Sequence, residues 1–253
     1  MKRFKHKCAA CGRISQKMSK EHFWPKWLIK RTGTNKTKVR WGDNKINPMS
    51  ATIPLCQECN KDLGDGLEAP IAIVFQDLEQ GNGINDREAE LLIRWLWKQA
   101  GLGWIIENPQ GIYTANHTLK DRVLRPIDNI RGALALAIGR IEEIDPYYGD
   151  APMGLDSDTN YDAIFVAGVF SKLALMVVLS PFMAMIPGNF SQYSLASKPD
   201  ELSGAKLFYP KVGFQTCTEA VSMTKRIAIT LSKRHDAIAL QAIAHEKAKN
   251  AIL

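Results

Sequence analysis

The chain has 253 residues, 45% of them apolar and 23% charged, an ordinary balance that excludes an intrinsically disordered or fibrous protein. Its net charge of +7 is unevenly spread: residues 1–45 carry fourteen Lys or Arg against two acids, Glu21 and Asp43, and the remainder carries nineteen against twenty-four. A basic segment beside a slightly acidic one is the footprint of a local phosphate-backbone binder. Four of the five cysteines fall in two closely spaced pairs and no secretory signal opens the chain, so a reducing cytoplasm is expected rather than an extracellular disulfide scaffold.

Residues 1–7 form a short basic lead-in, with His6 read as a surface residue. Cys8-Ala9-Ala10-Cys11 follows as a knuckle, and Gly12 suits the positive φ often needed after it. Ile14 to His22 reads as an extended segment ending in Glu21-His22. Pro25 to Arg31 predicts a short helix with proline in its first turn. A polar stretch with turn residues Gly33, Asn35, Gly42 and Asn44 encloses a short strand at Val39-Arg40-Trp41. Ala51 to Leu55 leads into the second knuckle, Cys56-Gln57-Glu58-Cys59. A helix over Gln57 to Leu67 then carries Asn60 on its first turn, weakened by Gly64-Asp65-Gly66. Pro70 marks the expected boundary between a unit of residues 1–69 and one of residues 70–253. Because a two-residue spacer lets both sulfurs of one turn face one metal, Cys8, Cys11, Cys56 and Cys59 together predict a tetrahedral structural zinc site.

Beyond Pro70 the packing signals dominate. Asn85 with Glu88 makes a capping pair, and Leu91, Leu92, Trp95, Leu96 and Leu102 recur at helical spacing. Ile130, Leu134, Ile138 and Ile141 predict a second helical stripe. Residues 161–187 are strongly apolar, but Lys172 would cost about 3 kcal/mol near a bilayer centre and Pro181 interrupts the run. The uninterrupted part falls short of the roughly 20 residues needed to span. Two buried strands joined near Ser171-Lys172 are expected, with no membrane association. Lys206 to Tyr209 reads as a short strand, Glu219 to Leu231 as either strand or helix, and Asp236 to Ile252 as a terminal helix. The expected fold class is α+β: an N-terminal zinc domain followed by a larger mixed α/β domain.

The first sixty residues, about a quarter of the chain, resemble the HNH endonucleases with the ββα-metal, treble-clef-like fold. The shared features are Cys8-x2-Cys11, Glu21-His22 with Pro25 three residues after the histidine, and Cys56-x2-Cys59-Asn60. They look most like the branch of the recombination endonuclease VII type; the Glu-His-x-x-Pro-x-Trp-Leu string also looks like bacterial HNH proteins with an added C-terminal domain. The resemblance implies His22 as general base, Glu21 and Asn60 as holders of one divalent cation such as Mg2+, and the four cysteines as holders of a zinc outside the chemistry. Histidine titrates near neutral pH, oxygen ligands suit magnesium and thiolates suit zinc, so the residue types fit those roles. Many members place a further asparagine before the second knuckle; Asn44 and Asn47 are the nearest here, and neither is assigned a role. The glutamate at position 21 stands where aspartate is commoner.

Lys26, Lys30, Arg31, Lys36, Lys38 and Arg40 are candidate phosphate contacts, taken collectively. Trp24, Trp27 and Trp41 could stack on bases, but core packing is expected of at least one in so small a unit. Glu68 is expected to be a solvated helix-end acid, and His117 an exposed residue. His245-Glu246 lacks the second histidine of a zinc-protease pair, position 249 being lysine. The expected function is metal-dependent cleavage of phosphodiester bonds in DNA, with RNA not distinguished. The alternative is a zinc-knuckle nucleic-acid-binding protein without catalysis. The larger domain is expected to supply substrate choice, homo-oligomerisation or regulation, and by the resemblance alone a role in phage defence or mobile-element biology is implied.

Overall fold

The computed structural model describes residues 7–41, 44–108, 118–127, 130–144, 153–157, 164–198 and 204–231, with the backbone alone at 39–41, 44 and 153–157. His6, His117, His245, Glu246, the helix expected over Asp236 to Ile252 and the side chains of Arg40 and Trp41 lie outside the described residues. The fold is α+β.

After the first knuckle the chain forms β1 (Met18–His22) and then α1 (Lys26–Thr32). Pro25 precedes α1 with φ already fixed near the helical value, and Gly33 ends it in the left-handed region at φ 70°. Short strands β2 (Val39–Trp41) and β3 (Asn44–Ile46) pair with each other. β4 (Thr52–Cys56) pairs antiparallel with β1 and runs directly into α2 (Gln57–Leu63). The helical path then widens into a π turn at Gly64–Glu68, where two glycines weaken the regular spacing, and continues as α3 (Ala69–Gln80). The boundary expected after residue 69 falls inside this run, with Pro70 in the first turn of α3.

α4 (Asp86–Glu107) opens with the expected reciprocal cap, Asn85 Oδ1 accepting from Glu88 N–H and Glu88 from Asn85 N–H. α5 (Leu119–Leu124) follows. The helix expected through Ile130 to Ile141 is instead a short turn followed by β5 (Leu134–Glu143). The alternation Leu134, Leu136, Ile138 against Ala135, Ala137 is the cause: both sets are buried, on opposite faces of the sheet, and so mimic a helical stripe when only the large residues are counted. β6 (Met153–Ser157), β7 (Val166–Phe170), β8 (Leu173–Leu179), β9 (Ser191–Ser194) and β10 (Val212–Thr216) complete the sheet. Its order is β10-β5-β8-β7-β6, with β9 also on β5. β7 and β8 form the expected hairpin about Ser171-Lys172, and Ser171 takes φ 53° at the turn. Among the described residues no helix is long and apolar enough to cross a membrane.

Lys206 to Tyr209 makes one bridge, Phe208 to Ile84, rather than a strand. Glu219 to Leu231 resolves as helix: residues 217–231 form α6, with Thr216 Oγ1 accepting from Glu219 N–H. α6 covers one face of the sheet, and α3, α4 and the zinc unit cover the other. On that second face a single apolar cluster runs from Cys8 and Leu28 through Leu67, Ile71 and Trp95 to Phe170 and Leu175. Buried Arg131 binds Asp86 and Glu90 of α4, and Tyr193 donates to Asp86 Oδ1 at 3.0 Å, tying helix to sheet.

Candidate metal centre and the adjoining Glu-His site

The two knuckles meet because β4 delivers Cys56 beside the first turn of the chain: Ala9 N–H donates to Pro54 O at 3.0 Å and Cys8 N–H to Arg13 O at 2.9 Å. Gly12, at φ 70°, lets its N–H reach back to Cys8 O at 2.8 Å. The Sγ atoms of Cys8, Cys11, Cys56 and Cys59 all lie within 4.8 Å of one another. Zn–S bonds of about 2.3 Å place tetrahedral sulfurs about 3.8 Å apart, so the four thiols fit a zinc ion. Around them, Cys59 N–H donates to Cys56 Sγ at 3.5 Å and Arg13 Nε to Cys11 Sγ at 3.4 Å. Burial pushes the Cys8 and Cys59 thiols up, and against the same effect the Arg13 guanidinium draws Cys11 down to about 7. Lys120 on α5 braces the unit from outside through Glu58 at 2.8 Å, Asp62 at 2.7 Å and its own N–H to Ala10 O at 2.9 Å.

Glu21 and His22 end β1, opposite Ile53 and Thr52 of β4. Adjacent strand residues face opposite sides, and the two side chains meet different surroundings. Burial and then Lys26 lower the proton affinity of the His22 ring, and Glu21 and the backbone at Met49 only partly offset them. A neutral imidazole offers one ring nitrogen as a proton acceptor. Met49 sits in the turn Pro48–Ser50, which Asn47 caps by accepting from Met49 N–H at 2.8 Å while donating to Asn35 O at 2.6 Å. Asn47 thus holds the turn whose backbone lies beside His22.

Glu21 Oε1 accepts from Lys98 Nζ at 2.7 Å, and the same ammonium binds Glu68 Oε1. Lys98, on α4, is wholly buried. Burial would drive it toward neutrality, but Glu68 and Glu21 outweigh that and hold it above its ordinary value. Glu68 is not the solvated acid expected: Trp95 Nε1 donates to its Oε1 and Trp27 Nε1 to its Oε2, both at 3.1 Å. Trp27 packs edge-on against Phe75 and Phe23 against Trp24, so Trp24 is a core residue and Trp27 lies partly buried against the core.

Asn60 lies half-buried on the first turn of α2, next to Cys59, on a helix packed against β1 and β4. Lys26, Lys30, Lys36 and Lys38 are exposed. Arg31 is committed elsewhere, to Glu79 at 2.7 Å and over the Trp27 ring. Among the described residues no second group of three or more His, Cys, Asp or Glu converges as the cysteines do.

Comparison with protein-family models, curated proteins and solved structures finds no match for this chain.

Sequence reasoning missed Lys98, although it falls on the stripe Leu91, Trp95, Leu102 of α4, where a lysine needs buried partners. Asn47 immediately before a proline carries the signal of a cap.

Proposed function

We propose that the protein is a divalent-cation-dependent HNH endonuclease that hydrolyses phosphodiester bonds in DNA. The observation that carries this reading is the placement of Glu21 and His22 at the end of β1, the strand whose first residue pairs with Cys56 of the four-cysteine centre, with the proton affinity of His22 lowered chiefly by burial. His22 takes a proton from the attacking water as its oxygen bonds to phosphorus, and the bond from phosphorus to the sugar oxygen breaks. Glu21 and Asn60 are the residues that would hold Mg2+, which when bound neutralises charge gathering on the phosphate and leaving oxygen. The exposed lysines Lys26, Lys30, Lys36 and Lys38 draw the backbone toward this edge.

The test is cleavage of supercoiled plasmid and of single-stranded DNA and RNA by zinc-loaded protein with Mg2+. His22→Ala is expected to lower the rate by about 10²-fold or more with the melting temperature kept. Equal cleavage by both proteins, or none by the wild type on any substrate, overturns the proposal; retention of DNA without cleavage would instead favour a binding module.

A further inference from the structure

One element outside the first sixty residues reaches the Glu-His site. α4 carries Lys98, and its ammonium is the only described cation that touches both Glu21 and Glu68. The three charges sum to one negative charge in a pocket where Lys98 is wholly buried and the two acids are 16% and 12% exposed. The two acids are not equivalent. Both Glu68 oxygens accept hydrogen bonds, Oε1 from Lys98 and Trp95 and Oε2 from Trp27. Glu21 gives Lys98 only Oε1, and Oε2 accepts no hydrogen bond among the described residues. Glu68 therefore anchors the ammonium, and the ammonium fixes one oxygen of Glu21.

We propose that Lys98, anchored by Glu68, is the positioning residue for Glu21, so that Glu21 meets a divalent cation through a single preset oxygen and α4 forms part of the cation site. This rests on the reading of Glu21 as a cation ligand. A carboxylate whose second oxygen is tied down cannot swing or chelate with both oxygens, and its orientation is set before the cation arrives. Outer partners of this kind typically govern metal affinity by 10- to 100-fold, that is on the order of one to two decades. The buried ammonium also takes the space between the two acids, so Glu68 is unavailable as a second ligand.

The double variant Lys98→Met, Glu68→Gln tests this, because it removes one charge of each sign and leaves the cluster's net charge unchanged. Two readouts are needed: Mn2+ binding to the zinc-loaded protein by electron paramagnetic resonance, and the Mg2+ concentration giving half-maximal DNA cleavage. Both are expected to weaken by about tenfold or more, with zinc content retained. Glu68→Gln alone, nearly isosteric, is expected to weaken Mn2+ binding too, since Lys98 then leans on Glu21 by itself; it gives the answer if the double variant does not fold. Unchanged Mn2+ binding in a folded variant overturns the proposal, as does wild-type protein that binds no Mn2+ in a Glu21-dependent way. Wild-type protein that binds Mn2+ through Glu21 and loses it in the variants, yet cleaves nothing, sustains the positioning role and removes the nuclease reading.

Discussion

In the proposed reaction His22 acts only while neutral, and the described groups around it each shift its proton affinity. Burial and Lys26 lower its proton affinity, and Glu21 and the backbone at Met49 raise it by less. Because the folded protein favours the neutral ring, the unfolded chain binds the proton more readily. The stability that His22 contributes is therefore complete above its ordinary value and is lost as pH falls through the lowered folded value. Activity follows the same sign: the acid limb of single-turnover cleavage at saturating Mg2+ is expected below the ordinary histidine range. Lys26→Gln should move that limb upward; a limb at or above the ordinary value, or one indifferent to Lys26, contradicts the assignment. The four-cysteine cluster was legible because its chemistry is written in short spacings. Lys98 was not, since its partners lie 77 and 30 residues away along the chain. Only the fold makes them neighbours.

At the scale of elements, the turn Pro48–Ser50 links two roles. Asn47 caps it and ties it to Asn35, and the turn sets the Met49 backbone beside His22. Asn47→Ala is expected to cost about 1 kcal/mol of stability, the usual loss of a side-chain cap. If His22 is the base, the effect on cleavage should exceed what the small loss of folded protein explains, because the turn beside His22 loses its cap. Chemical denaturation and turnover at a temperature well below the melt check both parts; a variant with the lost stability but full turnover would leave Asn47 a cap only. The elements themselves were legible where one face is wet. β1, α1, β2, α2 and the α4 cap all follow the expected pattern. β5 did not, because burial on both faces removes the polar half of the period-two signal.

For the whole molecule the question is whether the zinc unit stands alone. Pro70 marked the expected boundary of such a unit, but a proline does not record what lies beneath. Leu28, Ile29, Leu63 and Leu67 are fully buried and share one cluster with Ile71, Phe75, Trp95 and Leu96. Glu21 and Glu68 find their cation on α4, and the knuckle is braced by Lys120 of α5. A fragment of residues 1–69 would expose those four side chains, each worth about 1.5–3 kcal/mol of burial, and leave two acids without Lys98. A zinc ion on the four cysteines would fix the two knuckles but replace none of that apolar contact. Zinc-loaded fragment 1–69 is therefore expected to show dispersed amide signals only around the cysteines. In the full chain, Cys56→Ser or a chelator should remove the zinc staple from this shared core and lower a single melting transition seen equally by tryptophan fluorescence and far-ultraviolet circular dichroism. Two separated transitions, the earlier one silent at Trp95 and Trp97, would mean that residues 1–69 fold as their own unit after all.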